Sequence, residues 1–242
     1  MAEAPSPISA AELELLVRRM ELMPLLLRRQ QEEHIVALVP LEEHWLAEQR
    51  SQALAESTLE QFLEARGWTE ADFDVHLRRP EAMLRFARQR FGPGLEERFL
   101  EAQGGRDEVI YSLLRVRDPG LARELWIRLE EGEVSFAEAA QQFSEGPESH
   151  RKGVMGPMQI GVLQPQELAQ WLRALRPGEI SAPRAIGEWQ VLVRLEKLTP
   201  ARFDDAMRQT LLQEELDRFL QQRVQQCLAG EPLEQLHYDP SA

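Results

Sequence analysis

Cysteine is all but missing from this chain: Cys227 stands alone among 242 residues. A single thiol cannot close an internal disulfide or build a thiolate metal cluster, and it fits a reducing compartment. Positive charge is also scarce. The 28 Lys and Arg are outweighed by 41 Asp and Glu, for a formal net charge of −13. A phosphate backbone is gripped by clustered Lys and Arg, so nucleic acid is excluded as a partner class. The negative charge favours solubility and, weakly, basic clients. Long apolar runs are absent too. Leu22 to Leu27 falls far short of the roughly 20 residues of a membrane span, so no stable membrane insertion is expected. Met1 to Ala10 lacks the basic start and apolar run of a secretory leader, which makes the cytoplasm the expected location. Neither an internal repeat nor a low-complexity tract is present.

What remains is an ordinary globular composition, 43% hydrophobic and 29% charged, in a chain long enough for one large domain or two small ones. Residues 1–8 read as a frayed tail. Ser9 then caps a helix with Glu12 three residues on, and Leu13, Leu15, Leu16 and Met20 recur at helical spacing. Pro24 restarts the chain, and Leu25 to Leu38 gives a second apolar face that ends at Pro40. A third helix is expected from Leu41 to about Arg66, stopped by Gly67. Thr69 caps a short helix and Pro80 sits at the first turn of the next. Gly92-Pro93-Gly94 breaks the pattern before a helix with Leu95, Phe99 and Leu100.

Strand character begins only at Val109-Ile110-Tyr111-Ser112-Leu113-Leu114, rich in β-branched and aromatic residues. Asp118-Pro119 opens a helix, Ser135 caps a short one, and Ser144 to Gly156 reads as a polar loop. Pro165 opens another helix, and Trp189 to Arg194 alternates as a strand does. From Phe203 to Val224 one long amphipathic stripe returns to helical period, ended by Gly230 and Pro232, with a loose tail beyond. That stripe has to bury against something, and the N-terminal helices are its natural partner. The fold class is therefore α+β: helices over 9–105, a small antiparallel sheet flanked by helices over 107–197, and a C-terminal helix over 201–229 that completes the helical domain.

Several segments, in order, carry a resemblance to the parvulin family of prolyl isomerases. Tyr111-Ser112-Leu113-Leu114 stands for its first strand, and Gly132 to Ser144 for its "G-x-x-F-x-x-x-A-x-x-x-S" signature. Lys152-Gly153-Val154-Met155-Gly156 is similar to its glycine turn, and Leu175 to Pro183 to "L-x-x-G-E-I-S-x-P". Glu188 to Leu195 stands for the last strand. The helices around this module are similar to the SurA and PrsA class of foldases, whose helical parts form a chaperone domain.

The resemblance implies a cleft. Ser112 and Gln190 stand where the family places two histidines, and Gly146 lies near its Cys or Asp position. These replacements imply weak or absent isomerase activity, with Ser112 and Gln190 as the remaining catalytic candidates. Isomerisation needs no nucleophile; it needs an apolar cup that favours the less polar, twisted amide. Met155, Met158, Leu163 and Leu168, with Trp189 nearby, are the expected cup, and thioethers suit varied peptides. The expected partner is unfolded or extended polypeptide, with no cofactor and no metal. The alternative is a non-catalytic module docking one dedicated partner, as in a secretion or peptide-maturation system.

The remaining candidates are weaker. His34 and His44 neighbour glutamates without the i, i+4 pairing of a metal site. His150 lies in the loop bordering the expected cleft, where an exposed loop histidine is the plainer reading. Ser149-His150 lacks a glycine elbow, and Gly153-x-x-Gly156 lacks the Lys-Ser/Thr of a phosphate loop. Arg115 and Arg117 are too few to indicate phosphate recognition.

Overall fold

A computed structural model describes residues 8–240, so all but the last residue of the expected N-terminal tail lies outside the described part. The chain divides into two compact units. One is built from the chain up to Leu95 together with the segment from Asp204 onward; the other is Glu96–Phe203.

The first unit is helical. It contains α1 (Ala10–Arg19), α2 (Met23–Leu38), α3 (Glu43–Ala53), α4 (Leu59–Arg66), α5 (Glu70–Phe91) and, from the far end of the chain, α10 (Asp205–Ala229). Its core lies where α2, α5 and α10 meet: Ile35 and Val36, then Phe86 and Ala87, then Leu212, Leu216, Leu220 and Val224 are buried there. The long C-terminal stripe thus packs on the N-terminal helices, as its period required. Capping boxes at Ser9/Glu12 and Thr69/Asp72 start α1 and α5.

Three local expectations are corrected. The helix expected over Leu41 to Arg66 is two helices, because Thr58 and Gln61 form a capping box of their own and begin α4 there. Pro80 does not start a helix but lies inside α5, which runs through it. Proline removes only the bond to the His76 carbonyl, and the buried Phe73, Ala82, Phe86 and Ala87 hold both halves in line. The tail beyond Gly230, expected to be loose, is bonded to the helices over its described residues 231–240: the Arg223 guanidinium donates to the Glu234 carbonyl, and the Gln89 amide pairs with the backbone of Asp239.

The second unit begins in α6 (Leu95–Arg106), which the sequence grouped with the N-terminal helices. It then lays down β1 (Glu108–Val116), α7 (Pro119–Glu130), α8 (Phe136–Phe143), β2 (Val154–Gln159), α9 (Gln166–Ala174), β3 (Arg184–Ile186) and β4 (Trp189–Thr199). The sheet is antiparallel with order β2-β1-β4-β3. Helices cover both faces of its central strands, which is why Val191, Leu192 and Val193 are all buried rather than alternating. On one face Leu114, Val116 and Leu192 pack against α7 and α8 through Leu125, Leu129, Phe136 and Ala139. On the other, Tyr111, Val191, Val193 and Leu195 pack against Ile160, Leu163 and α9 through Leu168 and Leu172.

β2 occupies part of the expected polar loop. Gly156 and Pro157 hide it in the sequence, yet an edge strand tolerates both. Gly153 admits no other residue easily: its φ is +81°, and a Cβ there would stand 2.8 Å from both Ala140 Cβ and the Leu113 carbonyl oxygen.

Candidate functional site

Strand alternation sorts the candidate residues into two groups. β1 and β4 are neighbours, with Ser112 opposite Arg194, Leu114 opposite Leu192 and Val116 opposite Gln190. Ser112 and Gln190 therefore share the α7/α8 face but stand four positions apart, roughly 13 Å along the strand. Leu114 and Leu192 fill the space between them. Ser112 is 1% exposed, and its hydroxyl donates to the Glu196 carboxylate, which also takes the Arg194 guanidinium at 2.7 Å. The Arg194 guanidinium in turn stands 5.5 Å from the centre of the Phe136 ring. The strands lie side by side as expected, while the Ser112 hydroxyl is committed to a polar network beneath α8.

Met155, Met158, Leu163, Leu168 and Trp189 all join the core on the opposite face. The structure thus brings the five apolar candidates together and sets the two polar ones behind the sheet. Leu163 and Leu168 are buried outright and serve as floor. Met155, Met158 and Trp189 are half-buried, as are Leu113, Ile186 and Trp171 beside them, so this face presents adaptable apolar surface to solvent.

Near this surface lies an ion pair that the sequence does not advertise. Arg115 donates twice to the Glu148 carboxylate, at 2.9 and 2.7 Å, and the Ser144 hydroxyl donates to the same carboxylate at 2.6 Å. The Ser144 oxygen also accepts the Arg115 backbone N–H at 3.0 Å. The Glu148 side chain is 1% exposed against 28% for Arg115. Burial pushes the Glu148 carboxyl up, but hydrogen bonds from Arg115 and Ser144 prevail and hold it below the usual carboxylate range, ionised at neutral pH. Burial first, and the Glu148 charge second, push the Tyr111 phenol up. Gly146 lies against the pair: a Cβ there would stand 2.1 Å from Arg115 Nε and 2.3 Å from Glu148 Oε2. The Trp189 ring faces the guanidinium groups of Arg117 at 4.4 Å and Arg115 at 5.6 Å.

Sequence reasoning missed Glu148 and the partnership of Arg115, because they lie 33 positions apart and meet only through the fold. The available signal was the Ser144-Glu145-Gly146 run, near the family's polar position. His150, singled out from the same loop, is exposed. Among the described residues no group of three or more His, Cys, Asp or Glu is placed to hold a metal ion, and no helix is long and apolar enough to cross a membrane.

Chemically, the face desolvates without attacking. Arg115 and Glu148 satisfy each other, which leaves an apolar surface bordered by a locked, partly exposed cation. Residues 120–197 match the model of the Rotamase family, described as the PPIC-type PPIase domain. These residues form a parvulin-type rotamase domain. The Chaperone SurA of Vibrio cholerae serotype O1 is 31% identical to this chain over 120 residues, which make up 48% of the chain and 28% of that protein. The chain thus spans less than a third of the curated relative it matches. The fold is similar to that of the peptidylprolyl isomerase PrsA from Bacillus cereus, with a TM-score of 0.50, 17% identity, and coverage of 94% of this chain and 90% of that one. The PrsA structure from Bacillus anthracis gives a TM-score of 0.46 at 17% identity, covering 87% of this chain and 100% of that one. Within the rotamase domain, the Met155, Met158 and Trp189 surface and Glu148 all fall inside the matched residues, whereas β1 with Ser112 precedes them.

Proposed function

We propose that this chain is a foldase-type chaperone. Its rotamase domain takes extended, proline-containing or apolar segments on the sheet face of Met155, Met158, Leu113 and Trp189, with weak or absent isomerase activity. The helical unit supplies a second surface for unfolded chain. It contains an open hollow of about 790 Å³ whose lining includes Met83, Leu84 and Leu212, with Arg28 and Asp217 paired there.

The observation that carries this reading is the half-buried methionine and tryptophan surface over a buried floor of Leu163, Leu168 and Leu172. A prolyl ring seated there loses water, and the planar amide, being more polar than the twisted one, loses more of its solvation. Ser112 and Gln190 enter only by supporting the sheet from behind.

Exchange spectroscopy on a mixed Xaa-Pro peptide library tests both halves. Faster cis/trans exchange that Met155→Ala with Met158→Ala abolishes supports an isomerase. Binding without acceleration, together with suppressed aggregation of an unfolded protein, leaves a chaperone. Capture of one stoichiometric partner, with no binding to unfolded chains, would replace this reading with the dedicated-partner one.

A further inference from the structure

The stretch that follows α10 is held at three points by its main chain and at Glu234 by an ion pair with Arg90. Gln89 on α5 forms a two-way clasp on Asp239: its amide nitrogen donates to the Asp239 carbonyl, and its amide oxygen accepts the Asp239 N–H at 3.0 Å. Arg223 on α10 is 5% exposed, and its guanidinium donates to two neutral oxygens. One is the Gln31 side chain and the other the backbone carbonyl of Glu234, each at 2.9 Å. A helical unit that holds backbone N–H and C=O groups by a side-chain amide and a guanidinium grips features common to any extended chain, which leaves preference among segments to their side chains.

The surroundings fit that task. Leu233, Leu236 and Tyr238 are half-buried beside two hollows, about 530 Å³ against His34, Ala37 and Leu38, and about 400 Å³ against Arg85, Arg88 and Pro93. Neither hollow is filled by the stretch that borders it. Charge is complementary too: Glu231, Glu234 and Asp239 follow α10 in sequence, and Arg90 pairs with Glu234 at 3.4 Å. In a protein of net charge −13, Arg90 beside Glu234 and Arg88 at the second hollow are the cations bordering this stretch, Arg85 being paired with Glu42 and Glu81.

We infer that Glu231–Pro240 is a strap lying in a polypeptide-binding groove of the helical unit, and that extended segments combining acidic and aliphatic residues displace it. The inference rests on the chaperone reading for the identity of the client; the groove and its strap stand on the contacts alone. The strap sets a threshold, since a client has to outcompete a tethered segment present at high effective concentration.

The test replaces residues 231–240 with a Gly-Ser stretch of equal length and adds a fluorescein-labelled synthetic peptide of sequence 231–240. The peptide is expected to bind the replaced protein at least about tenfold tighter than the intact one. A peptide with Glu231, Glu234 and Asp239 changed to Lys is expected to bind at least about tenfold more weakly. A carboxymethylated, permanently unfolded acidic protein is expected to compete for the same site. No saturable peptide binding to a replaced protein with parental helix content would overturn the groove. Peptide binding without competition would overturn the client assignment, while leaving prolyl-peptide binding at Met155 and Met158 untouched. Should the replaced protein not fold, Gln89→Leu in the intact chain serves instead. Limited proteolysis within 231–240 is then expected to quicken at least about fivefold, and an unchanged rate would overturn the strap.

Discussion

Removing Arg115 is expected to reverse the sign of the protein's response to mild acid. In the intact protein the Glu148 carboxyl, bonded by Arg115 and Ser144, lies below the ordinary carboxylate value of 4.5 when folded. A depressed carboxylate contributes stability above its unfolded value and loses it as pH falls through the folded one. Arg115→Met removes the two bonds at 2.9 and 2.7 Å, while burial and the single bond from Ser144 remain. Burial then dominates and lifts the folded carboxyl above 4.5, so the contribution is present below pH 4.5 and is lost as pH rises through the new value. Stripping one partner from a buried pair costs about 3–5 kcal/mol; because Arg115 is 28% exposed we discount this to about 2–3 kcal/mol at pH 7. Glu148→Gln keeps shape and one acceptor and leaves a guanidinium with access to water, so it should cost only about 1–2 kcal/mol. Urea unfolding at pH 4, 5.5 and 7, with amide exchange at Leu113 and Val193, reads both. A pH-independent loss in Arg115→Met, or a larger loss in Glu148→Gln, would refute the reasoning.

Three further outcomes are expected. Gly153→Ala, with φ at +81° and two contacts at 2.8 Å, should lose about 1–3 kcal/mol in denaturant unfolding and loosen the pairing of β1 with β2. Ser112→Ala removes one bond to Glu196, a carboxylate that keeps Arg194, so stability should fall by about 1 kcal/mol while peptide affinity stays within about twofold by fluorescence titration. In the helical unit, hydrogen bonds from Arg85 hold the Glu42 carboxyl down to about 2. Its contribution is therefore present above pH 4.5 and lost as pH falls through about 2, and Glu42→Gln should flatten that part of the acid unfolding curve.

What could be read from the sequence was whatever is local. The capping boxes at Ser9, Thr69 and Ser135, the stop at Gly67 and the amphipathic period of Phe203 to Val224 act over a few residues, and they appear in place. Pro80 misled because local propensity is overridden when both halves of a helix bury one continuous face. β2 escaped because edge strands need little propensity. The candidate site was legible in its apolar half, since Met155, Met158 and Trp189 stand beside recognisable turns. The placing of the polar half follows strand parity, which a resemblance does not carry: Ser112 and Gln190 share the face of Leu114 and Leu192, opposite Met155 and Met158. Arg115 with Glu148, like the clasp of Gln89 on Asp239, joins distant positions that only the tertiary fold brings together.

The central claim is that prolyl and apolar segments bind the methionine face and not the Ser112 face. Titrating a methyl-labelled protein with a short Xaa-Pro peptide tests it directly. Saturable shifts are expected in the Met155 and Met158 methyls and the Trp189 indole, with the Gln190 side-chain amide and the Leu114 and Leu192 methyls unmoved. Shifts gathered at Leu114, Gln190 and Leu192, with the two methionines silent, would contradict it.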